Sequence, residues 1–147
     1  MTKALSLQQI FNRVGKHLLT QLEQAVRHTT RGPHMKQAVS CQYRTKEGLT
    51  CAVGCLIPAR YHRHKMEGGC LSDVLHSYTM PPQLERTLLA HGYDLITLLR
   101  DLQASHDRAL SLKGIAYYRS TWSDNLTTIA TEHRLSTRWI APLMHKD

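Results

Sequence analysis

Residues 41–58 read CQYRTKEGLTCAVGCLIP and hold three of the four cysteines of this 147-residue chain. Two short extended runs, residues 39–43 and 49–53, flank a Thr-Lys-Glu-Gly segment that ends at Gly48. Glycine readily adopts the positive φ that tight hairpin turns require. The stretch therefore predicts a β-hairpin over residues 39–53.

The register of this hairpin decides whether two thiols meet. If the loop closes near Arg44 and Gly48, Cys41 lies opposite Cys51, with about 4.5–5.5 Å between their Cβ atoms. A slip of one residue would send the two side chains to opposite faces of the sheet. The sequence alone leaves both placements open.

Helical periodicity dominates the rest of the chain. Ser6 and Gln9 form a capping-box pattern, and apolar residues recur at helical spacing after them, which predicts a helix over residues 6–28. Further amphipathic segments occupy residues 71–144. The length and the 41% apolar content favour one globular domain over residues 1–147. The expected class is α+β, mainly helical, with one cysteine-rich hairpin packed on the helices.

One hypothesis for this region is a thiol-dependent enzyme. Cys51 would be the nucleophile and His106 the base that accepts its proton. Against this, His106 falls on the leucine-rich face of its helix, where a histidine usually belongs to the core. Asp107, one residue later, points about 100° away and is expected to be poorly placed to orient the ring.

A second hypothesis is a structural zinc site. Its ligands would be Cys41, Cys51, Cys55 and Cys70, with His62, His64 or His76 as further candidates. The cysteines are separated by nine, three and fourteen residues, so they lack the paired Cys-x-x-Cys knuckles of zinc domains. The spacing therefore favours packed free thiols, with no metal and no cofactor.

Charge is distributed unevenly along the chain. Residues 1–66 carry eleven Lys and Arg against two acids, whereas residues 67–147 carry eight against nine. Clustered cations attract polyanions and acidic protein surfaces. No apolar run is long enough to span a membrane and no secretory leader is visible, so we expect a soluble protein of a reducing compartment.

The candidate binding residues follow from this asymmetry, because all of them can be exposed without disturbing a core. They flank a Gly-Pro loop, the predicted hairpin and the segment after it: Arg27, Arg31, Lys36, Arg44, Lys46, Arg60, Arg63 and Lys65. The partner expected for this set is a protein or a nucleic acid.

The C-terminal region offers a third hypothesis, a helix-turn-helix-like DNA-binding regulator. The apolar spacing over residues 126–140 matches that motif, with Ser136 as the cap of a second helix. The residues that would reach DNA, a secondary binding set, are Arg134, Arg138 and Trp139. Arg134 stands where a glycine usually fills the turn, and Pro142 would shorten the second helix.

Several motifs together carry a family resemblance. They are Cys-x-Tyr-Arg, a turn containing glycine, Cys-Ala-Val-Gly-Cys-Leu-Ile-Pro, Leu-Gln-x-x-His-Asp at residues 102–107, and the helix that starts at Trp122. In this order they cover most of the chain, which resembles a family of small proteins of tailed phages and enterobacterial prophages. The chain departs from that pattern in two insertions, residues 27–38 and 111–120.

The resemblance implies a phage accessory gene, and such genes often encode regulators or inhibitors of host or defence machinery. It brings no catalytic assignment with it. Together with the charge asymmetry, it predicts a non-enzymatic accessory protein that binds a host or defence-system macromolecule through its basic N-terminal half. The thiol-dependent enzyme and the DNA-binding regulator are the alternatives.

Overall fold

The computed structural model describes residues 2–29, 38–110 and 113–145. The helices of these residues are α1 (Leu7–Gln21), α2 (Leu71–Ser77), α3 (Pro82–His91), α4 (Tyr93–Asp107), α5 (Ile115–His133) and α6 (Ile140–Met144). Two strands, β1 (Val26–Thr29) and β2 (Ala38–Cys41), form a small antiparallel sheet. The predicted class, α+β and mainly helical, is confirmed.

Helix α1 begins where the sequence predicts it. The Ser6 hydroxyl accepts a hydrogen bond from the Gln9 backbone, and the Gln9 side chain accepts one from the Ser6 backbone, which is the capping box. The apolar face of α1 is fully buried at Ile10, Phe11 and Val14 against α4 and α5. This burial fixes α1 in the middle of the helical core.

The end of α1 differs from the prediction. The helix ends at Gln21 rather than at residue 28, and Leu22 takes a left-handed conformation with φ 48°. Residues 26–29 form β1 instead. The reason is tertiary: the side chain of Gln24 and the backbone N–H of Ala25 are both bound to the C-terminal end of α4, so the chain leaves the helix to reach them.

The predicted hairpin over residues 39–53 is also wrong in its pairing. Strand β2 pairs with β1, so Cys41 lies opposite Val26 and not opposite Cys51. Around the predicted turn only a single bridge forms, between Arg44 and Thr50, and Gly48 there has the expected positive φ of 89°. Strand pairing does not continue beyond this bridge because residues 51–57 turn into the core and form a short 3-10 turn.

Helices α4 and α5 complete the core. The leucines of α4 pack with Tyr118 and Trp122 of α5, and His106 is buried among them. The His106 ring stacks on Trp122, with ring centroids 5.8 Å apart and an angle of 17° between the ring planes. The Trp122 indole N–H donates to the carbonyl of Ser105. These contacts join α4 and α5 where the chain from α1 meets them.

Two glycines permit close approaches that a side chain would block. A Cβ atom at Gly54 would overlap the backbone carbonyl of Tyr43, and one at Gly15 would overlap the ring of Trp139. A backbone carbonyl held in a turn cannot move aside as a side chain can. Gly54 is therefore the more restrictive of the two positions.

We expect Gly54→Ala to lower the free energy of unfolding by about 1–3 kcal/mol, as overpacking of a core does. Gly15→Ala should cost less, because alanine gains about 1 kcal/mol of helix propensity and the Trp139 ring can shift. Chemical denaturation of both variants measures the difference. If Gly15→Ala lowered the free energy of unfolding as much as Gly54→Ala, Gly54 would not be the more restrictive position.

A half-buried histidine, His17, links α1 to the turn. The Nε2 atom of His17 lies 3.1 Å from the carbonyl oxygen of Thr50 and 2.9 Å from its hydroxyl. Burial lowers the pKa of His17 below its usual value of 6.5. The native state therefore favours the neutral ring, and the stability contributed by His17 is complete above pH 6.5 and is lost as the pH falls below it.

His17→Gln should reduce the acid sensitivity of the fold. The wild-type melting temperature should fall between pH 7.5 and 5.5 more than that of the variant, because the unfolded chain takes up the proton that native His17 resists. His76→Gln is the control, since His76 is exposed on α2. Equal pH slopes in wild type and His17→Gln would refute the role of His17.

Candidate functional site

His106 makes two hydrogen bonds that fix its tautomer. Its Nε2 atom accepts the backbone N–H of Ala25 at 3.0 Å, so the ring proton is on Nδ1, which donates to the Asp107 carboxylate at 2.9 Å. The expectation that Asp107 cannot orient its neighbour is wrong. At the C-terminal end of α4, the two side chains turn toward each other despite their different helix faces.

Asp107 is the meeting point of several donors. Its Oδ1 atom accepts from the Gln103 amide at 2.7 Å as well as from His106, and the Cys41 sulfur lies within 4.8 Å of an Asp107 carboxylate oxygen. Cys41 and Asp107 line a cavity of about 390 Å³, together with Cys51 and Cys70. Three cysteines thus share one cavity, although the predicted pairing of Cys41 with Cys51 does not form.

Two of the three thiols at this cavity, those of Cys41 and Cys51, are not activated. Burial raises the pKa of Cys51 to about 12, and burial together with the Asp107 carboxylate raises the pKa of Cys41 to about 12. A nucleophilic cysteine needs the opposite shift. Both nitrogens of His106 are engaged, so neither can take a proton from Cys51. The arrangement does not support the predicted Cys51 and His106 pair as a catalytic centre.

The four cysteines considered as zinc ligands do not lie together at one site. Cys55 faces a separate apolar cleft beside Arg13, and its thiol donates to the carbonyl of Ala52. In the described part of the chain, the cysteine that does join a cluster of potential metal ligands is Cys41, with His106 and Asp107. The tautomer argues against that cluster, because a metal on Nδ1 would leave Nε2–H facing the N–H of Ala25.

The additional histidine candidates lie apart from the thiols. His62 pairs with Glu67 at 2.8 Å, and the His76 ring bonds to the carbonyl of Ser72 in its own helix. A second group of potential ligands, Asp101, Glu132 and His133, is a partly exposed pair of His133 with Asp101 beside an exposed glutamate. These arrangements are ordinary side-chain pairs.

The Cys-Ala-Val-Gly-Cys motif has a structural role. Ala52 and Val53 are fully buried, and the Gly54 N–H donates to the Cys51 sulfur at 3.2 Å. The Val53 N–H donates to the side chain of Gln103 on α4. The motif therefore packs the turn against the helices, and the most distinctive stretch of the sequence is a core element.

The basic residues come together on the other side of the turn. Arg27 of β1 and Arg44 and Lys46 of the turn line one open groove of about 760 Å³. We call it the basic groove. Its remaining lining residues are His28, Gln42, Thr45, Glu47, His62, His64 and Glu67. Sequence reasoning placed the three cations in one set but missed the histidines, although His62 and His64 alternate with Arg63 and Lys65.

One of the two acids in the basic groove is occupied by hydrogen bonds. The Glu67 carboxylate accepts the backbone N–H groups of Tyr43 and Arg44, at 3.0 and 3.2 Å, and bonds to the His62 ring at 2.8 Å. These bonds satisfy its oxygens and join the turn to residues 60–67. Glu67 is thus a structural bridge between the two sides of the groove.

Three other predicted cations are sequence neighbours of His62 and His64 but are not among the residues that line the basic groove. Arg63 donates to the carbonyls of Arg60 and His62, and the Arg60 guanidinium lies 5.1 Å from the centre of the Tyr61 ring. Arg60, Arg63 and Lys65 are exposed. The remaining members of the predicted set, Arg31 and Lys36, lie outside the described residues.

The C-terminal region does not form the predicted second helix. Helix α6 has five residues and starts at Ile140, not at Ser136. Residues before it return to α1, where the side chain of Gln8 bonds to the backbone of Ser136 and the Trp139 ring packs edge-on against Phe11 at 5.6 Å. Trp139 is therefore part of the packing between α1 and α6.

The two arginines of that secondary set are exposed. Arg134 caps the C-terminal end of α5 in a left-handed conformation with φ 57°. Arg138 lies two residues after Ser136. With Trp139 turned inward and α6 so short, they lack the recognition helix that a helix-turn-helix would supply. They form a separate pair of surface charges.

Comparison of the chain with protein-family models, curated proteins and solved structures gives no match. Within residues 2–29, 38–110 and 113–145, no helix has the length and apolar character needed to cross a membrane. The function is therefore inferred from the geometry of the molecule.

The burial of the thiols predicts a simple labelling pattern. Cys70 is exposed, whereas Cys51 is 1% exposed and the pKa of Cys55 is raised to about 12 by burial. With N-ethylmaleimide at neutral pH, we expect Cys70 to react first and Cys41, Cys51 and Cys55 to react only on unfolding. Peptide mass spectrometry identifies the sites, and Cys70→Ser is the control. Fast labelling of Cys51 in the folded protein would support an activated thiol.

Proposed function

We propose that this protein is a non-enzymatic phage or prophage accessory protein, a regulator or inhibitor that binds a host or defence-system macromolecule through its basic N-terminal half. The observation that carries the proposal is the convergence of Arg27, Arg44 and Lys46 on the basic groove. Its expected place of action is the cytoplasm of the bacterial host, where its four free cysteines would stay reduced.

The convergence supports binding because it is not required by the fold. Arg27 and Lys46 are exposed side chains on different segments of the chain, yet they line the same groove. A groove lined mainly by one sign of charge concentrates the electric field and speeds the encounter with an oppositely charged partner. Three cations, Arg27, Arg44 and Lys46, face two acids, Glu47 and Glu67, so the groove keeps an excess of positive charge.

The thiol-dependent alternative lacks comparable support. Its nucleophile and base, Cys51 and His106, are both buried and hydrogen-bonded within the fold. The DNA-binding alternative at the C-terminus lacks its second helix. The basic groove is the feature that combines exposure, charge and concavity.

Charge reversal in the groove tests the proposal. Arg27→Glu with Lys46→Glu should weaken partner capture about tenfold or more, since two favourable contacts become two repulsive ones. Arg134→Glu with Arg138→Glu produces the same change in net charge at the C-terminal pair and should leave capture intact. Affinity capture from bacterial lysate, with and without nuclease, measures both variants. Capture of the same partner by a folded groove variant would overturn the proposal.

A further inference from the structure

The side chains that line the basic groove are all polar or charged. Among the described residues that form it, none is aliphatic and none is Phe, Tyr or Trp. The large exposed apolar side chains belong to other parts of the surface, such as Leu89 on α3 and Tyr93 at the start of α4. A partner seated in the groove would therefore meet guanidinium, ammonium, imidazole, amide and carboxylate groups.

This composition discriminates between protein and nucleic-acid partners. Protein interfaces place apolar or aromatic anchors in a central patch from which water is excluded, and these anchors carry most of the affinity. Contacts to the sugar-phosphate backbone come from arginine, lysine, glutamine and threonine side chains instead. Arg27, Gln42 and Lys46 supply groups of that second set within one groove.

The same lining also discriminates between duplex and single-stranded nucleic acid. Single strands are held largely by aromatic side chains on which unstacked bases lie. The groove offers no such platform, and the nearby Tyr61 ring already faces the Arg60 guanidinium. A duplex presents phosphates at its surface and needs no stacking partner.

We infer that the basic groove binds the phosphodiester backbone of a duplex nucleic acid without reading its base sequence. The inference rests on the proposed function and narrows its partner from any anionic macromolecule to one class. Arg27, Arg44 and Lys46 line the site, and Arg60, Arg63 and Lys65 are exposed cations of the segment that carries His62 and His64. Backbone binding of this kind releases counterions, so it must weaken steeply with salt.

Fluorescence anisotropy with the full chain tests the inference directly. The probes are a labelled DNA duplex of about 20 base pairs, a second duplex of unrelated sequence, the corresponding single strand, and a poly-glutamate peptide. We expect both duplexes to bind with affinities within about threefold of each other, and more tightly than the single strand or the peptide. The logarithm of duplex affinity should fall linearly with the logarithm of salt concentration, with a slope of about −3 to −5 for four or five neutralised phosphates.

Neutral substitutions identify the contributing residues. Arg27→Gln and Lys46→Gln should each weaken binding equally for both duplexes and make the salt slope about one unit less steep. Arg134→Gln with Arg138→Gln is the matched control and should change neither quantity. Arg44 is left intact, because its guanidinium also donates to the carbonyl of Ile57 within the fold.

The remaining outcomes separate the inference from the function on which it rests. Tighter binding of the single strand, or a strong preference for one duplex sequence, overturns the inference. If poly-glutamate binds in preference to the duplexes and the groove variants weaken it, the inference falls and the proposed function stands. If no probe binds but charge reversal in the groove abolishes capture from lysate, the inference is overturned and the proposed function stands. If groove variants alter neither probe binding nor capture, both fall.

Discussion

The hydrogen bond from the backbone of Ala25 to His106 is the constraint on which the rest of the fold depends. Beside it, the Gln24 amide donates to the carbonyls of His106 and Ala109 at 2.8 and 3.1 Å, which caps the end of α4. Reaching these partners ends α1, starts β1 and brings β2 beside Asp107. One contact between residues about 80 positions apart thus determines the sheet, the turn and the thiol cavity.

This constraint explains why the most conspicuous motif of the sequence is a core element. The Cys41 sulfur lies within 4.8 Å of an Asp107 carboxylate oxygen, and the Cys51 sulfur accepts the N–H of Gly54. Burial raises the pKa of both thiols, which keeps them protonated and does not create a nucleophile. The proposed function therefore rests on side chains that the core does not need, the cations of the groove.

Local signals were predicted from the sequence, whereas long-range contacts were not. The capping box at Ser6 marks the start of α1, and the apolar spacing of α4 and α5 marks their buried faces. The end of α1 and the pairing of β1 with β2 depend on Gln24 and Ala25 binding α4, which no local pattern encodes. The cations of the groove were predicted as a set from charge alone, but their shared groove required the fold.

Glu67 connects the stability of the molecule to its binding surface. It holds the backbone of Tyr43 and Arg44 on one side of the groove and the His62 ring on the other. An acid in a basic groove opposes anion binding by its charge. Here its oxygens are satisfied by donors within the protein, and the cost of fixing the two walls is met on folding. In the proposed complex, a partner would meet an Arg44 backbone already fixed by Glu67, so less conformational entropy would be lost on binding.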